Sequence, residues 1–177
     1  MKNIVIKYGL ISGAIVSALM GINIFMCTRN PDLDHSMVLG YALMILSLSL
    51  IFVGVKTFRD KHNGGAISFG KAFLIGLYIS LIASTIYVAV WAVEYKYAYP
   101  DFMEQYSAHV IKNMKATGKP QAKIDEQVAE MKMYSDMYKN PIYFSLFTYA
   151  EILPVGLVVS LISALILRKR STGTVVV

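Results

Sequence analysis

Apolar residues in this chain are gathered into four long runs. Tyr8 to Cys27 is twenty residues without a formal charge, Met37 to Val55 nineteen and Ala72 to Val93 twenty-two. Ile142 to Leu167 is twenty-six, interrupted only by Glu151. A helix rises about 1.5 Å per residue, so about 20 residues cross a hydrocarbon core about 30 Å thick. A helix also satisfies its own backbone donors and acceptors, which lipid cannot do. The pattern predicts an all-α membrane protein, a bundle of four transmembrane helices over about 4–27, 37–58, 70–93 and 142–167.

Between the third and fourth runs the periodicity changes. Pro100-Asp101 opens a pattern in which Met103, Tyr106, Val110 and Met114 recur at helical spacing, and Gly118-Lys119-Pro120 stops it. A second pattern from Gln121 places Ile124, Val128, Met131, Ser135 and Tyr138 on one face. Two amphipathic helices joined by a tight turn predict a helical hairpin over about 100–139, on the extracytoplasmic side. The whole chain, 1–177, reads as one integral membrane domain.

Composition agrees with this picture. Hydrophobic residues make up 56% and charged residues 16%, against about 25% charged in soluble domains. The first run starts with Lys2 and Lys7, as a signal peptide would, but it exceeds the usual apolar length of about 7–15 residues and lacks a small-residue cleavage site. It is read as a retained span. The net charge of +6 would point to nucleic acid in a soluble protein. Here orientation explains it better. Four spans put both termini on one side, with nine cations (Lys2, Lys7, Lys56, Arg59, Lys61, Lys71, Arg168, Lys169 and Arg170) against one acid, Asp60. The other side holds eight cations against ten acids, counting Glu151 there. Four of the cations fall within 56–71, so the rule that favours basic loops inside makes the first side cytoplasmic.

Several residues read as helix punctuation. Asn140-Pro141 supplies an N-cap and an N1 proline to the fourth span. Ser36 is suited to cap the second, and Ser68 the third after the Gly64-Gly65 turn. Cys27, the only cysteine, reads as a small apolar residue at a helix end and excludes an intramolecular disulfide. Ser171 to Val177 reads as an exposed tail.

Small residues recur every four positions in three spans: Gly9, Gly13, Ser17 and Gly21; Ala72, Gly76, Ser80 and Ser84; Gly156, Ser160 and Ala164. Lipid gives helices no hydrophobic reason to associate, so close backbone approach has to supply the contact. These stripes are expected to be packed faces within the bundle, with a homo-oligomer face as the alternative.

Glu151 is the most informative residue. Nine residues beyond Ile142 place it about 13 Å along the span. A carboxyl there is costly and is expected to face protein or water. Pro154 withholds a donor from the Ala150 carbonyl, and Asn23 falls at a similar depth in the first span. Two readings stay open: an ion, proton or substrate site, or an acid that pairs with a Lys or Tyr of the hairpin.

Other constellations favour plain structural readings. Trp91, Tyr95, Tyr97, Tyr99, Tyr143, Phe144, Phe147 and Tyr149 are expected to form an interfacial belt. Met103, Met114, Met131, Met133 and Met137, with His109, are soft ligands suited to Cu(I), yet their spacing fits core filling. Asp32, Asp34 and His35 occupy a short loop that needs polar residues in any case. No glycine-rich phosphate loop, His-Glu-x-x-His or nucleophile elbow occurs in the sequence. No catalytic residue, cofactor or metal is assigned.

Three stretches, Lys7-Tyr8-Gly9-Leu10-Ile11-Ser12-Gly13, Gly64-Gly65-Ala66-Ile67-Ser68-Phe69-Gly70-Lys71-Ala72-Phe73 and Glu151-Ile152-Leu153-Pro154-Val155-Gly156-Leu157 running on to Arg168-Lys169, carry a resemblance. In them, and in its layout over nearly the whole chain, the protein resembles the bacterial domain-of-unknown-function family 4199. The resemblance implies a four-span protein of the bacterial inner (plasma) membrane. That family brings no functional residues with it.

The function expected is therefore a non-enzymatic multi-pass membrane protein with a structural or accessory role, its periplasmic hairpin docking a membrane or periplasmic protein. The alternative is an oligomeric transporter or channel subunit built around Glu151, Pro154 and Asn23. The partners expected are the lipid bilayer, such a protein and a second copy of the chain, with no nucleic acid.

Overall fold

The computed structural model describes residues 1–29 and 37–169, without the side chains of Cys27, Thr28 and Met37. The expected roles of Cys27, Asp32, Asp34, His35, Ser36 and the tail from Ser171 lie outside the described residues.

The described chain is helical throughout. It comprises α1 (Lys2–Arg29), α2 (Met37–Leu48), α3 (Leu50–His62), α4 (Phe69–Tyr97), α5 (Phe102–Ala116), α6 (Gln121–Tyr138) and α7 (Pro141–Leu167). Four stretches are long and apolar enough to cross a membrane: Lys2–Met26, Val38–His62, Phe69–Tyr97 and Pro141–Leu167. Leu10, Ile22, Leu46, Leu146, Ile162 and Ile166 stay exposed on them. Lipid accommodates such surfaces where water does not. The protein is a multi-pass membrane protein.

Local chemistry sets the ends of these helices. Asn140 Oδ1 accepts the Ile142 N–H at 2.9 Å, an N-cap followed by Pro141 at N1. Ser68 Oγ accepts the Lys71 N–H at the start of α4. Gly64 and Gly65, at φ +63° and +76°, make the preceding turn in a region that L side chains rarely enter. Gly118, at φ +65°, ends α5, with Gly118 N–H on Lys115 O and Lys119 N–H on Met114 O. That is the Schellman pattern.

The second span differs in one detail from the uninterrupted helix expected over 37–58. At Ser49 the helix tightens: its N–H reaches both Ile45 O and Leu46 O, and the Phe52 N–H returns to Ser49 O. The Ser12 hydroxyl of α1 donates to Ser47 O at 2.8 Å. An inserted side chain that competes for a ladder carbonyl is a known cause of such a break.

The chain divides into two compact units, Met1–Val90 with Tyr149–Val177, and Trp91–Thr148. In the first, α1 packs on α2 and α3. Val16, Leu48, Ile51, Val55, Ile75, Ile79 and Ile152 are fully buried. Glycines set how closely these helices approach. A β-carbon at Gly9 would lie 2.7 Å from Ile82, one at Gly13 2.8 Å from Ile86, and one at Gly54 2.7 Å from Ile79. One at Gly76 would lie 2.8 Å from Ser160. Ser17 is buried, whereas Gly21 is only half-buried.

In the second unit α5 packs on α6. Met103, Ile124, Phe144, Trp91 and Thr148 are its buried side chains, and Tyr106, Val110, Met114, Met131, Ser135 and Tyr138 are half-buried. Val128 is 44% exposed, so the face expected of α6 is shorter than its periodicity implied.

Candidate functional site

Glu151 sits one residue from the fully buried Ile152, three before Pro154 and five before the buried Gly156. It lies on the flank of the packed face of α7 and is half-buried. Pro154 has no N–H, so the Ala150 carbonyl loses its usual intrahelical donor. Among the described residues no hydrogen bond or ion pair reaches the Glu151 carboxyl. Asn23, half-buried on α1, makes its own interactions, and these do not include a hydrogen bond to Glu151.

The surroundings on α4 are polar. Tyr149 Oη donates to Thr85 Oγ1 at 2.9 Å. Ser80 and Ser84 are fully buried, and their hydroxyls have no hydrogen-bond partner, which also holds for Ser17 on α1. Ser160 instead donates to Gly156 O at 2.7 Å. A small hydroxyl can return to its own helix carbonyl, and Ser160 takes that route. A carboxyl in this setting can carry a proton or accept a donor from another chain.

The Trp91–Thr148 unit offers a second kind of site. Its aromatic residues interlock. Trp91 meets Phe102 edge-on at 5.0 Å, Tyr95 lies 5.3 Å from Phe144 and 5.8 Å from Tyr138, and Phe147 lies 5.9 Å from Tyr134. The belt expected at these positions is thus partly an internal cluster. Tyr97 at 75% and Tyr143 at 45% remain outward. A shallow groove of about 590 Å³ runs along α6 to the start of α7, lined by Ala129, Lys132, Met133, Asp136, Met137, Asn140 and Tyr143. Asp136 accepts a 2.7 Å hydrogen bond from Lys139, which holds its carboxyl below the usual range and raises the Lys139 ammonium. Burial, then the nearby Glu94, pushes the Tyr99 phenol up. The groove was not anticipated from the sequence, although Ala129, Met133 and Met137 recur at four-residue spacing on a second face of α6.

Of the methionines considered as metal ligands, Met103 is buried and Met133 is 51% exposed, and His109 lies 2.9 Å from the Asn113 amide. Among the described residues no group of three His, Cys, Asp or Glu side chains is gathered.

No curated protein and no solved structure matches the chain. The family described as "Protein of unknown function (DUF4199)" matches residues 7–169. That match runs from the second turn of α1 through the glycine turn and the α5–α6 pair to just past the end of α7. The chain belongs to the DUF4199 family.

Proposed function

We propose that this protein is a non-enzymatic multi-pass protein of the bacterial inner membrane, with a structural or accessory role, whose α5–α6 pair docks a protein partner in the periplasm. The supporting observation is the groove on α6, in which Met133, Met137 and Tyr143 offer apolar surface beside Lys132 and Asn140. Methionine is suited to such surfaces because its unbranched thioether adapts to what it meets. The placement outside the cytoplasm rests on the cation distribution, densest at residues 56–71.

Two measurements test this reading. Alkaline phosphatase fused at residue 120 is expected to be active and at residue 177 inactive; the reverse pattern ends it. A photo-crosslinking residue at Met133 or Tyr143, in native membranes, is expected to capture one discrete protein that the same residue at Lys115 on α5 does not. Equal capture from all three positions, or none from any, removes the docking role.

A second reading is a small transporter or channel subunit. The observation in its favour is the Glu151 carboxyl, unpartnered among the described residues beside a proline. Four spans leave little room for a path within one copy, so this reading requires a homo-oligomer.

A further inference from the structure

The end of the bundle where α3 meets the chain after α7 gathers cations from three separate segments. Arg59, near the end of α3, donates from Nη1 to Leu167 O at 3.3 Å and from Nε to Asp60 at 2.6 Å. The first contact gives the C-terminus of α7 a donor for one of its orphan carbonyls. The second ties up Asp60, the only acid at this end among the described residues. Two main-chain bonds of 2.9 Å, Ile67 N–H to Lys169 O and Lys169 N–H to Ile67 O, then fasten the segment after α7 to the α3–α4 loop. Lys71, in the first turn of α4, donates to Asn63 Oδ1 at 2.8 Å and lies 5.0 Å from the centre of the Phe58 ring. Lys56 and Lys169 both lie within electrostatic reach of Asp60.

A basic loop alone needs no ligand, since membrane orientation explains an excess of cations. Orientation does not require that a cation of α3 and one of the segment after α7 be held around the same acid. Like charges brought together repel, and the single acid is already bound to Arg59. Among the described residues Lys56, Lys61, Arg168 and Lys169 are exposed and make no side-chain hydrogen bond or ion pair. The cluster also stands at helix ends, where phospholipid headgroups lie. Exposed Ile166, near the end of α7 and inward of Lys169, offers apolar surface for the acyl chains.

We propose that Lys56 and Lys169, the latter held in place by the Ile67–Lys169 bridge and both beside the Arg59–Asp60 pair, form a binding site for the phosphate of an anionic phospholipid. Basic pockets between membrane helices bind such headgroups by charge and hydrogen bonding. The ligand is a lipid because the cations stand toward the ends of apolar helices, with the exposed Ile166 one turn inward of Lys169.

The test uses the full chain purified in a neutral detergent, melted with added phosphatidylglycerol or with phosphatidylcholine. Phosphatidylglycerol is expected to raise the melting temperature above the value in phosphatidylcholine, and added salt is expected to shrink that difference. Lys56→Gln with Lys169→Gln should lose at least half of the difference while melting normally in phosphatidylcholine. Lys112→Gln with Lys115→Gln, on α5, should keep it. If the paired variant does not fold, each single substitution is melted separately and should lose part of the difference. The proposal is overturned if the two lipids shift the wild type equally, or if the Lys56 and Lys169 variants respond as the wild type does. It is also overturned if inorganic phosphate alone gives the same shift, since the ligand would then be a soluble anion.

Discussion

Ser80 on α4 and Gly156 on α7 meet so closely that a β-carbon built at position 156 would overlap the Ser80 hydroxyl. The Ser80 β-carbon would lie only 2.9 Å from it. One turn along, Gly76 and Ser160 exchange the roles, with glycine now on α4. Small residues from the two stripes thus alternate across the interface, and each glycine admits the partner's serine. In lipid this contact is itself the source of association, because exposed leucine and lipid tail are equivalent neighbours.

Gly156→Ala should therefore destabilise the bundle. Alanine gains about 0.5–1 kcal/mol over glycine in a helix. Overpacking a tight contact costs about 1–3 kcal/mol, so the collision wins. Melting in detergent is expected to fall, and Ser80→Gly in the same chain should restore most of the loss. A Gly156→Ala protein that melts like the wild type would show that the helices are not held at this distance.

Phe144→Ala should unfold the Trp91–Thr148 unit early. Phe144 is 6% exposed, with the Tyr95 and Tyr138 rings each 5.3 Å away. Removing a buried phenyl ring costs about 3–5 kcal/mol. Trp91 is the only tryptophan and belongs to this unit, so its fluorescence reads the change directly. The Trp91 transition is expected at markedly lower temperature in Phe144→Ala. An unchanged transition would mean that the ring cluster does not hold the unit together.

The Asp136–Lys139 pair gives a pH dependence with a definite sign. The Lys139 hydrogen bond lowers the Asp136 carboxyl, so its contribution is present above the ordinary carboxylate range. It is lost as the pH falls through the depressed folded value. Lys139 is raised, chiefly by the same bond, so its contribution is present below the ordinary lysine value and lost as the pH rises through the raised one. Carboxyl NMR titration should find the Asp136 midpoint below the ordinary carboxylate range, and Lys139→Met should move it upward. Equal midpoints in the two proteins would remove the pairing. Both groups are exposed, so high salt should weaken the difference.

Much of this architecture was legible because its causes are local. The four apolar runs, Asn140-Pro141 and Gly118 determine helices and their ends through backbone chemistry that operates within a few residues. The tightening at Ser49 was not legible, since it involves the Ser12 hydroxyl donating to Ser47 O, thirty-five positions along the chain. The ring contacts of the aromatic cluster were not legible for a similar reason. Trp91, Tyr95, Phe144 and Phe147 lie near the ends of spans, where a belt is the ordinary expectation, but Phe102, Tyr134 and Tyr138 come from α5 and α6 to meet them. Glu151 was legible as an anomaly but not in its partners. An acid in an apolar helix is visible in sequence, whereas which groups reach its carboxyl is decided by three-dimensional packing.

That absence changes what substitutions at Glu151 should do. Had a Lys or Tyr donated to it, Glu151→Leu would orphan that donor at about 1–3 kcal/mol. With no donor among the described residues, leucine orphans nothing there and removes an acid from a span. A charged side chain costs about 3 kcal/mol at the centre of a membrane helix and less toward either interface. Glu151→Leu is therefore expected to melt at or above the wild type in detergent, with Glu151→Gln close to it. Melting of the leucine variant well below both would mean that donors from a second chain had been lost, and would place a partner helix at this face. Function separates the two readings of the protein where stability does not. If Glu151 carries a proton or cation, Glu151→Gln folds normally but fails to rescue a growth defect caused by deletion, because the titratable group is then the mechanism. If docking at α6 is the role, Glu151→Gln rescues fully, and Met133→Lys with Tyr143→Lys does not.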